Sequence, residues 1–419
     1  MATYKPGRLW RTFKKLGMPS SAFALYSEPL GTLYDSDITG VSIRRGKSER
    51  GGGSHPSTME IGVKGQYSSA VSGREARFFM RPAPAATLAA HLGTTASVIE
   101  RRFTGRLGAT SVEDTGKRFI TTYTAASWIA QMNYSPKHYT PLTGEPVLSV
   151  IAGLLDAANA ARGINVNLFG SSDIIATDQE KTLCRDGLGK YATDLGILLQ
   201  ETRDGRTNVF GHLWRISNAA AKLATQMPLT RSQAISPAAW EQPNERPAVK
   251  VDYKITNNTG GIATRSASTS NPTGELRETV EKDWSYVQVA GVDNQLYREA
   301  YGVVHSSSTR VFSVPSITID LLYLIGSDRE YHRRQAAQLL ELEAGDPVFF
   351  SGDWPEALRG AHFAEGITET ITHNEWRLEL SLVPYAHAVG DTPTPVVPAR
   401  VWESATYPWE SESRTWNQI

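Results

Sequence analysis

The stretch from Ala364 to Tyr385 constrains this chain most. Ile367, Glu369 and Ile371 lead to a polar His373-Asn374-Glu375 corner, after which Trp376, Leu378, Leu380 and Leu382 alternate with Arg377, Glu379 and Ser381. Strict alternation is the pattern of a strand with one buried face, and Asn suits a turn with unusual backbone angles. The stretch therefore predicts a β-hairpin. A second strand-rich stretch lies far upstream, where Arg102-Phe103-Thr104-Gly105-Arg106-Leu107-Gly108 leads into Phe119-Ile120-Thr121-Thr122-Tyr123-Thr124. Two strand-rich modules with a mixed region between them favour an architectural protein over a compact enzyme.

The same patterning divides the rest. Residues 1–37 form an N-terminal arm. Residues 38–140 form the first β-module, with strands at 38–45 (Val41 and Ile43 inward), 59–64, 76–80, 98–107 and 118–124, a Gly-rich loop at 46–56 and a short helix at 125–132. Residues 141–220 form an α+β domain. A helix over 145–162 is followed by a strand over 164–169, a second helix over 178–195, and strands 196–202 and 207–214 around Asp204-Gly205, a strong hairpin signal. Residues 221–300 are a linker and a β-rich stretch, with strands at 248–255 and 286–292 and a Ser/Thr/Asn loop at 266–274. Residues 301–388 form the second β-module. It holds strands at 298–304 (crossing its boundary), 309–319 and 347–350, the helix 328–342 and the hairpin described first. The last stretch, 389–419, carries Pro393, Pro395, Pro398 and Pro408, which exclude a long helix. Trp402, Trp409 and Trp416 recur there seven residues apart. This predicts an extended arm whose tryptophans anchor on a neighbouring subunit, each worth roughly 2 kcal/mol or more; the other reading folds the arm back on its own module.

The chain has 419 residues, with 43 Lys+Arg against 43 Asp+Glu, so its formal net charge is zero. That is not the balance of a strongly basic nucleic-acid binder, and it leaves little charge to keep copies apart. The basic residues Lys5, Arg8, Arg11, Lys14 and Lys15 precede no continuous apolar core, so no secretory signal is expected; a solvated tail and a docking arm both fit. No apolar run reaches membrane-spanning length. Cys184, the single cysteine, excludes an intramolecular disulfide and a cysteine-based zinc site, and reads as a small packing residue in a helix.

Catalytic patterns are sparse. The sequence has no phosphate-binding Gly-x-x-x-x-Gly-Lys run, no His-Glu-x-x-His and no Gly-x-Ser-x-Gly. His332-Arg333-Arg334 reads as an exposed basic helix face, and His362 and His373 as surface histidines. Glu341 and Glu343 share a helix end but point to different faces. Glu365 and Glu369 are the least unsuited pair for a cell-wall hydrolase, yet a solvated strand face explains them more simply. Phe103, Arg106 and Tyr123, like Trp214 with Arg215, interleave aromatic and basic residues, which barrel packing accounts for. No cofactor is called for.

With these residues assembled, the chain resembles the tail-tip or baseplate hub proteins of tailed bacteriophages, called minor tail proteins in phages of actinobacteria. Asp37–Gly46 is similar to the entry strand of such hubs, with Thr58–Ile61 as its partner. Phe103–Leu107 followed by Ile120–Ala125 resembles a second family segment, although Ser127 and Trp128 stand where the family carries Asp. Ala364–Glu369 through Trp376–Leu380 resembles the closing hairpin of the second hub barrel. The resemblance implies a mainly β fold with α+β, in which two hub-type β-barrels bracket an α+β insert. It implies a homotrimer whose six barrels adapt a sixfold tail tube to threefold tip components. It also implies distal tail ring, tail tube, tape measure and fibre or spike proteins as partners, genomic DNA passing through the lumen, assembly in the host cytoplasm and a place at the virion tail tip. The alternatives are a sixfold distal tail ring, a cell-wall hydrolase, and a glycan-binding adhesin using the tryptophan arm.

Overall fold

The computed structural model describes residues 23–27, 31–34, 38–46, 56–65, 75–80, 101–142, 144–160, 163–167, 174–176, 181–188, 191, 198–210, 218–219, 221–223, 225–235, 248–256, 262–268, 278–284, 287–289, 315–327, 329–355, 358–372 and 375–384. The N-terminal basic residues, Trp214 and Arg215, the strand expected at 298–304, His373, and the arm with Trp402, Trp409 and Trp416 lie outside them.

The chain begins with β1 (Phe23–Ser27), β2 (Gly31–Tyr34), β3 (Ile38–Gly46), β4 (Thr58–Lys64), β5 (Glu75–Met80), β6 (Arg101–Asp114) and β7 (Phe119–Ala126). A 3-10 turn, Trp128–Tyr134, follows. Next come β8 (His138–Tyr139), α1 (Val147–Ala157), β9 (Ile164–Asn167), β10 (Ile174–Ala176), β11 (Thr182–Leu183), α2 (Cys184–Leu188), β12 (Leu198–Glu201) and β13 (Thr207–Phe210). Then β14 (Ala248–Thr256), β15 (Ile262–Ser268), β16 (Glu278–Trp284) and β17 (Val287–Val289) lead to β18 (Ser316–Asp320), α3 (Leu321–Gly326), α4 (Glu330–Glu341), β19 (Pro347–Phe350), β20 (Gly360–Thr372) and β21 (Glu375–Pro384).

The fold is mainly β, as expected, and its organising element is an eleven-stranded sheet. Its path runs β18-β21-β20-β3-β4-β7-β6-β5-β1-β2, with β19 added on β20. The strands of the two distant β-modules meet where β20 pairs antiparallel with β3, from Gly366↔Gly46 to Thr372↔Gly40. Alternation sets the register. Val41 and Ile43 of β3, Met59, Ile61 and Val63 of β4, and Trp376, Leu378, Leu380 and Leu382 of β21 are all buried, because a one-residue slip would turn each set toward water. Helix α3 buries Leu321, Leu322, Leu324 and Ile325, and α4 buries Ala336, Ala337, Leu339 and Leu340; both helices join the same apolar cluster as the strands. Asp320 starts α3 by accepting a hydrogen bond from Tyr323 N at 2.9 Å.

The α+β insert has its own small sheet, β12-β13-β9. Its helix α1 buries Val147, Leu148, Val150, Ile151, Leu154 and Leu155. The turn at Asp204-Gly205 forms as expected, with Gly205 at φ +83°. Three local expectations are corrected. Of the helix expected over 178–195, the described residues show helix at Cys184–Leu188 and at Tyr191, while Thr182–Leu183 pairs with β8 instead. Residues Ser266 to Ser268, expected in a loop, belong to β15. Strand β6 extends to Asp114, where Gly108 to Ser111 have no alternation to mark them.

Candidate functional site

The first module, the second module and the insert meet at a buried ionic junction. On β3, Val41, Ile43 and Arg45 share the inward face, so Arg45 is carried under the sheet with its neighbours. On β20, Glu369 lies between Ile367 and Ile371 on the same inward face and is fully buried. Arg45 pairs across the ladder with Ile367, and Glu369 with Ile43, so the two charged residues sit on a diagonal and meet. Arg45 Nη2 donates to Glu369 Oε1 at 2.8 Å. Arg102, near the start of β6, closes on the same carboxylate as a fork: Nη2 donates to Oε1 at 2.7 Å and Nε to Oε2 at 3.1 Å.

A second carboxylate extends the junction. Glu343 follows α4 and accepts Arg45 Nη1 at 2.7 Å and Arg203 Nε at 2.7 Å. Arg203 comes from the β12–β13 turn. The C-terminus of α4 supplies further acceptors, as helix ends leave carbonyls unpaired. Leu340 O accepts Arg102 Nη1 at 2.6 Å and Arg203 Nη1 at 2.5 Å. Three arginines thus face two carboxylates and the negative end of a helix.

The electrostatics follow from this geometry. Burial alone would push the Glu369 carboxyl up, but Arg102 and Arg45 together outweigh it and hold it below the usual carboxylate range. Burial pulls the Arg102 guanidinium down to about 10, so both partners stay charged at neutral pH. A carboxylate fixed as an anion between two guanidinium groups is no general acid. Close packing of backbones supports the junction. Gly46 has φ +75°, and a Cβ there would lie 2.2 Å from Glu365 O. The β20 ladder shifts register between Ala364 and Gly366 at this point.

Glu201, at the end of β12, is a second buried carboxylate with different company. Its Oε2 accepts Ser57 N at 2.7 Å, and its Oε1 accepts Ile129 N at 3.3 Å. Burial pushes its carboxyl up, while hydrogen bonds from Ser127 and Ser57 pull the other way.

Several sequence expectations change here. Glu365 and Glu369 are not on a solvated face; both are buried, Glu369 on the inward face of β20 with Ile367 and Ile371, and Glu365 at the register shift between Ala364 and Gly366. His332 and His362 are buried too, not surface histidines. His332 Nδ1 lies 2.8 Å from Ser327 Oγ, and the His362 ring lies tilted against Phe350 with centroids 4.6 Å apart. Phe103 and Tyr123 are core residues, as barrel packing implied, and Arg106 lies over the Trp128 ring at 4.1 Å. Cys184 is buried in α2. The sequence pattern points to none of Arg45, Arg102, Arg203 and Glu201 as a charged partner, although the inward line Val41-Ile43-Arg45 marks the first of them, and Glu343, expected to share a helix end with Glu341, lies just beyond that helix. Among the described residues no group of three or more His, Cys, Asp or Glu is placed to hold a metal ion, and no helix is long and apolar enough to cross a membrane.

No protein-family model matches the chain, and no curated protein matches it in sequence. Solved structures do match. The 43 kDa tail protein of prophage MuSo2 from Shewanella oneidensis aligns at TM-score 0.56 and 12% identity, over 88% of this chain and 99% of that one. The tail protein from Neisseria meningitidis MC58 aligns at TM-score 0.55 and 11% identity, over 88% of this chain and 97% of that one. The chain has the fold of these tail proteins. The likeness lies in backbone path across nearly their whole length. At such identity it carries no individual side chain, so the ionic junction is described for this sequence alone.

Proposed function

We propose that this chain is a structural virion protein of a phage tail tip, a hub subunit that assembles as a trimer and adapts a sixfold tube to threefold tip components. The observation that carries this reading is the pairing of β3 with β20, which sets the two β-modules abreast in one sheet within a fold shared with tail proteins. A subunit that presents two modules side by side gives six modules in three copies, the number a sixfold tube needs. In this reading the modules are residues 38–140 and 301–388, the insert is 141–220, residues 221–300 add a linker and a β-rich stretch, and 389–419 is an arm, while the stretch expected as an N-terminal arm, 1–37, joins the first module through β1 and β2, which extend its sheet beyond β5. Trp402, Trp409 and Trp416 anchor the C-terminal arm on a neighbouring subunit. The partners are the distal tail ring, tube, tape measure and fibre or spike proteins, with DNA passing through the lumen.

The role is non-enzymatic. What supports this is the position of Glu369, locked between Arg45 and Arg102, and the burial of Glu365. Mass measurement of the purified protein and an averaged electron-microscopy map of the tail tip test the proposal. Three copies per ring are expected. Six copies would turn the reading to a distal tail ring, and a stable monomer with no affinity for tail components would end it.

A further inference from the structure

Residues 225–235, within the segment expected as a linker, are fastened to the second module. Strand β20 carries β19 on one side and β21 on the other, since Phe363 pairs with both Pro347 and Val383. Strand β18 lies beyond β21. The run β19-β20-β21-β18 therefore has two outer edges, and residues 229–235 reach both. On β19, Leu229 bridges to Phe350 in parallel; its N–H donates to Phe349 O at 2.7 Å, and its carbonyl accepts Ser351 N at 3.2 Å. On β18, Ala234 bridges to Ile319 in antiparallel fashion, and Ile235 N donates to Thr318 O at 2.7 Å. One 3-10 turn, Arg231–Gln233, lies between the two contacts. Asp353 holds it, accepting Arg231 N at 2.6 Å and Ser232 N at 3.0 Å. Helix α4 backs the segment with Tyr331, Gln335 and Gln338, which share one face by their spacing. Tyr331 Oη and Gln335 Nε2 donate to Pro228 O at 3.1 and 2.8 Å, and Gln338 Oε1 accepts Met227 N at 2.8 Å. Leu229 is buried in the main apolar cluster, and Ala234 packs against it.

We infer that residues 225–235 close the second module into a barrel, and that they occupy strand edges with which a second copy of this chain would otherwise pair. The backbone pairing runs in a circuit: from β18 to β21, β20 and β19, then through Leu229 to Ala234 and back to β18. Five residues carry the chain from Leu229 to Ala234, a reach of at most about 18 Å, so the two edges are drawn together. An open edge presents unpaired N–H and C=O groups and is a template for strand addition, and closure removes it. The segment thus does for the second module what a further strand would do. Its sequence gives little sign of this, because the pairing uses backbone groups and the side chains that hold it come from α4 and Asp353. This inference stands on the pairing alone and does not depend on the tail-tip reading.

Hydrogen exchange of the full chain, read by mass spectrometry in rising urea, tests the closure. Residues 226–235 are expected to exchange as slowly as β18 and β21 and to share their dependence on urea. Exchange of 226–235 at the rate of an exposed loop, with β18 and β21 protected, overturns it. Ile235→Pro tests the guarding of the edge. The Ile235 side chain is 47% exposed, and Ala234 already has the extended backbone, φ −78° and ψ 131°, that a following proline requires. The proline removes only the N–H that Thr318 O accepts. It is expected to speed exchange in 226–235 and β18 by up to about tenfold, the loss of one backbone hydrogen bond. In sedimentation velocity it is expected to add species larger than those of wild type, growing with concentration. Ile235→Ala keeps the N–H and is expected to match wild type. Where the proline variant fails to fold, Asp353→Ala, at an exposed position, loosens the turn without touching the core and is read in the same way. An opened edge with wild-type sedimentation overturns the guarding, as does association of Ile235→Ala equal to that of Ile235→Pro.

Discussion

Glu369 and Glu201 are the same side chain, both buried within one molecule, and their surroundings treat charge in opposite ways. Glu369 faces two guanidinium groups at 2.7 and 2.8 Å, and its carboxyl is held down. Glu201 is held by the backbone N–H groups of Ser57 and Ile129, and its carboxyl is pushed up. Neutral donors do not replace the hydration that a buried anion loses as fully as fixed cations do. The contrast follows the architecture. Glu369 joins β3, β6 and β20 inside the sheet and is built to stay charged. Glu201 lies on the seam where the insert meets the sheet, and its environment favours the proton.

The largest expected difference is in stability at neutral pH. Glu369→Gln leaves Arg102 buried without its counter-charge and is expected to cost about 3–5 kcal/mol. Glu201→Gln keeps one acceptor for the two backbone donors, loses a charge that burial disfavours, and is expected to change stability by about 1 kcal/mol or less. Denaturant unfolding of both variants measures this. Equal losses would mean that the two carboxylates are not in different regimes.

The pH dependence should separate them next. Glu369 has a folded pKa below its unfolded one, so its contribution is present above the unfolded value and is lost as pH falls through the folded value. Glu201 has a folded pKa above its unfolded one, so its contribution is present below the unfolded value and is lost as pH rises through the folded value. The stability difference between wild type and Glu369→Gln should therefore grow as pH rises from the acid side and then level off. The difference between wild type and Glu201→Gln should shift in favour of the variant over a higher pH window. Slopes of the same sign for the two pairs would remove the distinction.

How much of this was legible in the sequence depends on what periodicity encodes. Alternation marks a strand and its inward face, so the hairpin of β20 and β21 and the strand Pro347–Phe350 could be read from their residues. Asp204-Gly205 marked its turn because a positive φ selects glycine. Alternation does not name a partner, so the pairing of β3 with β20, residues far apart in the chain, left no local trace. The charged members of the junction were hidden by a sound default, since an isolated buried charge is costly and a carboxylate on a strand is usually solvated. The exception was written in phase: Arg45 continues Val41 and Ile43, and Glu369 interrupts Ile367 and Ile371 without leaving their face. Glu201 gave no such signal, because the backbone donors that hold it carry no side-chain identity.

Trp376 offers the smallest effect and a sharp control. Its ring is fully buried on β21, and its Nε1 reaches Glu369 Oε2 at 3.4 Å, the longest contact that carboxylate accepts. Phe in its place removes that weak donor and part of the ring volume, while Arg45 and Arg102 remain on Glu369. The expected cost is about 1–2 kcal/mol, arising from the space left in the core and not from the carboxylate. Because the two guanidinium groups still fix the charge on Glu369, the loss should be the same at pH 5 and pH 8. A Trp376→Phe loss that is larger at pH 8 than at pH 5 would show that the indole helps hold Glu369 ionised, and the ionic junction would then rest on three donors where the present reading assigns the work to two.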